Sequence, residues 1–230
     1  MRGYLNKSDI RMYVIFGLLL LPIASLCYHM NLFIGTISSL PLFILLLIML
    51  ATSRIEIPIT QIRTKKPEHL SRDSLALEDI YGVPVLNELV VEKRQAFDTT
   101  VTLNLGGFII PALTLLYLLI TQPDTSALQV MLIIIVAVSL LAEMVSGIGI
   151  VVPDYIGLIS IPFAFILSPQ NAAVVIFVSS VGGILIGSCT TLITFDREKK
   201  GSAYINLGGI GGFKAIYVST IVASLISYFI

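Results

Sequence analysis

Residues Ser202 to Ile230 read SAYINLGGIGGFKAIYVSTIVASLISYFI. The run is 29 residues long, and Lys214 is its one Lys or Arg. A helix crosses the hydrocarbon core of a bilayer in about 20 residues, so this run is too long for one upright helix. It also carries a break: Gly208, Gly209, Gly211 and Gly212 place four glycines in five residues, which is poor helix material. The pattern predicts an extended or re-entrant segment over Ser202–Gly212, leading into a helix from about Phe213. Irregular backbone at membrane depth stands only where protein or a watery cavity surrounds it.

The same opening occurs once more. Asn104-Leu105-Gly106-Gly107 matches Asn206-Leu207-Gly208-Gly209. Broken helices of this kind form solute sites in transporters. Close helix packing through glycine explains the same residues, and the sequence leaves both readings open. Gly183 and Gly187 have the spacing of helix packing.

Working outward, the chain is a succession of apolar runs. Of its 230 residues 56% are hydrophobic and 12% charged, and the mean hydropathy is +0.96. A soluble domain of this size could not cover its surface with so few charges. The expected fold is an all-α membrane protein, a single polytopic domain over residues 1–230 with about seven transmembrane helices. The crossings fall at about Met12–Tyr28, Asn31–Ser53, Thr99–Thr121, Ala127–Gly147, Ile148–Leu167, Ala172–Phe195 and Ser202–Ile230. The bases sort accordingly. Arg2, Lys7 and Arg11 lie in the N-terminal tail, seven bases lie between Arg54 and Arg94, and Arg197, Lys199 and Lys200 share one loop. The loops His29–Met30, Gln122–Ser126 and Ser168–Asn171 have no Lys or Arg. By the positive-inside rule, the N-terminus and the 54–98 loop are expected in the cytoplasm of a cell-membrane protein and the C-terminus outside. Tyr13, Tyr28, Tyr117, Tyr155, Tyr204 and Tyr228 fall near the expected interfaces.

The 54–98 insertion is expected to hold some strand. Ile55, Ile57 and Ile59 alternate with Glu56, Pro58 and Thr60. Val83-Pro84-Val85 and Leu89-Val90-Val91 suggest a second extended segment, and Pro58 and Pro84 suit sheet edges. The stretch Ser146-Gly147-Ile148-Gly149-Ile150 up to Pro153 reads as a tight turn between crossings.

Charge at membrane depth is costly and normally faces protein or water. By depth, Glu143 or Asp154 is expected to pair with Lys214. The sharper reading makes Lys214 part of an anion-binding or proton-coupled site at a glycine-rich helix start. The candidate substrate- or ion-binding residues are therefore Lys214, Glu143, Asp154, Asn104, Gly106, Gly107, Asn206, Gly208, Gly209, Gly211 and Gly212. Cys27 and Cys189 are expected near opposite faces and unpaired. His29 and His69 lie on opposite sides with no metal-ligand cluster, and no Walker-type loop or haem motif occurs. No cofactor, no metal and no catalytic residue are expected. Zero net charge argues against a nucleic-acid partner. The expected partner is the lipid bilayer, with a membrane-protein partner or a homo-oligomer left open.

Five stretches, in order, resemble a multi-pass membrane family of archaea and bacteria catalogued as domain of unknown function 1614. They are Ile55-Glu56-Ile57-Pro58-Ile59, Asn104-Leu105-Gly106-Gly107-Phe108-Ile109-Ile110-Pro111, Gly147-Ile148-Gly149-Ile150 with Pro153, Gly183-Ile184-Leu185-Ile186-Gly187, and Leu207-Gly208-Gly209-Ile210-Gly211-Gly212-Phe213. The resemblance implies a helical membrane protein and no established activity. It also implies aspartates where this chain has Cys189 and Lys214, so chemistry needing both carboxylates would lack them here.

Three functions compete. The first is a transporter-like protein with a small-solute or ion site near the cytoplasmic side. The second is a non-catalytic membrane subunit or scaffold. The third is an enzyme like the aspartyl intramembrane proteases, which need two membrane aspartates sharing a proton. Pro111-Ala112-Leu113 is similar to their proline-alanine-leucine signature, and Asp98 and Asp154 would have to meet.

Overall fold

A computed structural model describes residues 7–65, 96–145, 148–196, 202 and 204–230; at 7–9, 65, 96 and 97 it describes backbone alone. Among these residues the chain is mostly helical, with seven α-helices and five strands. The helices are α1 (Lys7–Tyr28), α2 (Ser39–Ala51), α3 (Ile110–Thr121), α4 (Thr125–Leu141), α5 (Ser160–Leu167), α6 (Ala172–Thr194) and α7 (Phe213–Ile226). The strands are β1 (Glu56–Lys65), β2 (Ala96–Asn104), β3 (Glu143–Val145), β4 (Gly149–Val151) and β5 (Tyr204–Leu207).

α6 is the axis of the fold. It packs on α3, α4, α5 and α7, while α1 packs on α2 and α2 on α7. Gly183 and Gly187 of α6 face Ile134 and Val138 of α4, so closely that a methyl group would not fit without movement. That is the packing use of glycine. Hydroxyls on the buried faces of α6 and α7 are satisfied within their own helices. Ser179, Ser188, Ser219 and Thr220 each donate to the carbonyl four residues earlier, a local bond that needs no neighbouring helix.

Two helices are long and apolar enough to cross a membrane, Ile10–Tyr28 and Pro169–Thr194. They differ in setting: 22% of the first window is buried and 89% of the second. The other expected crossings contain shorter helices. The all-α expectation is corrected here, because apolar runs that read as whole helices are strand at one end and helix at the other. Thr99–Thr121 begins as β2, turns through a π-helical Leu105–Ile109, and becomes α3 only at Ile110. Ile148–Leu167 likewise begins as β4. Asn31–Ser53 becomes helical only at Ser39. Run length alone cannot separate a buried strand from a buried helix. The expected break in the last run is present, with β5 ending at Leu207 and α7 starting at Phe213.

The 54–98 region is a sheet where it is described. β1 pairs antiparallel with β2, and β2 pairs parallel with β5, giving the order β1-β2-β5. Pro58 sits on the edge strand, where the register shifts between Pro58 and Thr60. Proline lacks the N–H a central strand would need. The expected segments around Val83 and Leu89, together with His69, lie outside the described residues.

The loops gather at opposite poles. At one, Phe33 N donates to Ser227 Oγ at 3.0 Å, Thr36 meets Thr121 at 3.3 Å, and Ser168 donates to Asp124 at 3.3 Å. No Lys or Arg occurs in these loops. The sheet, the β3–β4 hairpin and the glycine loop form the other pole, with Arg54, Arg63 and Lys214.

Candidate functional site

The two Asn-Leu-Gly-Gly copies meet at the sheet pole. Gly107 and Gly208 are backbone to backbone: a Cβ on Gly208 would stand 2.5 Å from the Gly107 carbonyl oxygen. Gly208 also has φ +70°, a conformation that side-chain-bearing residues adopt at a cost. Here glycine is required twice over, by the turn and by the close approach. Gly106 lies against the Met49 carbonyl at the end of α2. Gly211 abuts Ile150 on the hairpin, and its carbonyl accepts the Val152 N–H at 2.7 Å. Gly212 immediately precedes α7 with looser surroundings.

The copies are not equivalent. Asn104 is fully buried and fully employed. Its Oδ1 accepts the Gly107 N–H at 2.8 Å, and its Nδ2 donates to the Ser53 carbonyl at 2.6 Å. It caps the helix start and ties it to the end of α2. Asn206 is 4% exposed. Its Nδ2 donates to the Glu56 carboxylate across the sheet, while its Oδ1 is buried with no partner. Gly209 makes room for this amide, since any side chain there would collide with it. Thr102, which is 5% exposed, likewise has a buried Oγ1 without a partner.

The strand register explains why these two matter together. β2 and β5 align Thr102 with Asn206, not Asn104 with Asn206. Paired residues on neighbouring strands share a face of the sheet. Two residues with orphaned oxygens therefore project from the same face of neighbouring strands, and the Asn206 amide also touches Glu56 and Gly209. A buried polar atom with no partner costs about 1–3 kcal/mol, and native folds keep few of them.

Asp154 and Lys214 approach to 4.0 Å, and their side chains are 61% and 44% exposed. Asp154 is thus the partner of Lys214, and Glu143 instead lies exposed on β3 beyond the end of α4. At that exposure the pair contributes little to stability. Asp98 is exposed and stands opposite Arg63 in the sheet, so Asp98 and Asp154 each have a cationic neighbour of their own. Among the described residues no group of three or more His, Cys, Asp or Glu is arranged to hold a metal. Cys27 and Cys189 are both free thiols. Sequence reasoning missed Thr102 and Glu56. Thr102 lay inside an apolar run, and only the register of a strand about a hundred residues later gives it meaning.

A family model described as a protein of unknown function, DUF1614, matches residues 50–226, about three quarters of the chain. No curated protein and no solved structure matches.

Proposed function

The chain belongs to the DUF1614 family, and we propose that it is a transporter-like membrane protein whose glycine-broken junction binds a small solute or ion at the cytoplasmic end. The observation that carries the binding site is the pair of buried, unpartnered oxygens on Thr102 and Asn206, held where two interrupted helices begin. A structure built only for packing would gain by filling that spot with apolar atoms.

Membrane embedding is supported by which side chains face outward. Leu18 and Leu21 of α1, Leu40 of α2, Leu113 and Ile120 of α3 and Leu132 and Leu140 of α4 are all more than half exposed. Such a belt suits lipid and not water. Charge agrees, because the pole without Lys or Arg fits the outer side and the sheet pole the inner one. Helices too short to span alone reach further through the strands that continue them, and those strands lie inside the protein's own polar pole.

Substituted-cysteine labelling in a Cys27→Ala, Cys189→Ala background tests both parts. Gln170→Cys reacts with an impermeant maleimide in intact cells, while Gln61→Cys reacts only after permeabilisation. Labelling of both from one side sinks the topology. Thr100→Cys, two residues before Thr102 on the same strand face, reacts with a small charged thiol reagent from the Gln61 side. No reaction there means a dry junction and removes the solute site.

A further inference from the structure

If the junction is a binding site, the chemistry that fits it is set by one hydrogen bond. The Asn206 amide donates to Glu56. Turning the amide over would put its oxygen against the carboxylate, acceptor against acceptor, so Glu56 fixes which end of the amide points away. The atom left without a partner is Oδ1, which can only accept. Beside it, on the same face of the neighbouring strand, stands Thr102 Oγ1, whose hydroxyl can rotate to present a lone pair.

Strands in a sheet run about 4.8 Å apart, a gap that one bridging atom spans. An anion is excluded there by an acceptor oxygen and a nearby carboxylate. A transition metal would want imidazole or thiolate, and none is present among the ligands at hand. A divalent cation normally draws on several carboxylates, whereas one carboxylate borders this spot. Arg54, two residues upstream, and Glu56 itself each have a further interaction, and Arg54 Nε is a third buried atom with no hydrogen-bond partner.

We propose that Thr102 Oγ1 and Asn206 Oδ1 are two ligands of a small monovalent cation, close to the carboxylate that Asn206 holds on Glu56. The assignment rests on the junction being a binding site. A junction that takes a neutral solute would keep that reading and lose this one. The glycine loop then has a definite part in binding. Gly209 leaves the space that the Asn206 amide occupies, and Gly208 brings the loop against the start of the other broken helix.

The experiment uses the full chain purified in detergent, with thermal unfolding followed by circular dichroism. Sodium, potassium, ammonium and choline chlorides are compared at constant ionic strength, with magnesium and calcium as separate arms. The wild type is expected to melt higher, saturably, with sodium, potassium or ammonium than with choline, and the ranking identifies the ion. Thr102→Val keeps the volume and breaks no hydrogen bond, so it should melt in choline at or above the wild type. Its apparent cation affinity should fall about ten- to a hundredfold, the worth of one contact to a charge. Thr102→Ser, which restores the hydroxyl, should recover the response. A wild-type melting temperature that ignores all the small monovalent ions overturns the proposal and leaves a structural water only. So does a full cation response in Thr102→Val, or saturation by a divalent ion alone. If Thr100→Cys still reacts while cation dependence is absent, the cation fails and the solute site survives.

Discussion

Asn104→Ala should be among the most damaging single changes at the sheet pole. The side chain is completely buried and makes two bonds, from the Gly107 N–H at 2.8 Å and to the Ser53 carbonyl at 2.6 Å. Truncation leaves both backbone groups in a place water does not reach. Each orphaned group costs about 1–3 kcal/mol. Together, allowing for some relaxation, the loss is about 2–5 kcal/mol. The comparison is Asn206→Ala, the equivalent position of the other copy. That change removes one bond to Glu56 but also removes an oxygen that had no partner, so its net cost should stay below about 2 kcal/mol. Tryptophan is absent, so the signal is far-UV circular dichroism during SDS titration of the protein in mixed micelles. If Asn104→Ala unfolds within about 0.5 kcal/mol of the wild type, or Asn206→Ala costs more than Asn104→Ala, the division of labour between the two asparagines is wrong.

Gly208→Ala forces a side chain into the left-handed region and against the Gly107 carbonyl, and should destabilise by about 2–5 kcal/mol in the same titration. Gly17→Ala is its counterpart: it lies within α1 with nothing within 4 Å of a new Cβ, and should stabilise by up to about 1 kcal/mol. Lys214→Ala should change stability by less than about 1 kcal/mol, because its contact with Asp154 is long and exposed. A larger loss would mean the lysine is held more tightly than that geometry allows. Gly183→Leu should drive α6 from Ile134 and lower the unfolding midpoint by an amount equivalent to about 1–3 kcal/mol.

The break in the last run was readable because glycine is locally decisive: four of them between Leu207 and Phe213 leave no helix to propose. The strand β1 was readable for a similar reason, since Ile57 and Ile59 alternate with polar neighbours. β2 was not. Val101 and Leu103 merge into the apolar residues of α3, and nothing in the run marks the change of period. The β3–β4 hairpin was hidden the same way, as a turn at the end of a longer helix. The site was half legible. Asn104 and Asn206 stood out as a repeat, and the repeat suggested equal roles. Only the two-residue stagger between the copies, Thr102 opposite Asn206, separates a cap from an unsatisfied acceptor. Lys214 drew attention as a buried charge in a linear reading, yet it reaches the surface because the chain before it folds back as a loop.

The parallel pairing of β2 with β5 also has a consequence for biogenesis. Thr100 and Tyr204 are neighbours in the sheet but are separated by four helices in the order of synthesis. Until residues 204–207 leave the ribosome, β2 presents an open edge, which is a template for unwanted strand addition. Pairings this distant in the chain are slow to form, and nascent chains with exposed edges are prone to misassembly. The sheet is therefore completed only after six of the seven described helices have been synthesised, and a chain halted before Tyr204 would be a substrate for quality control through the open edge of β2.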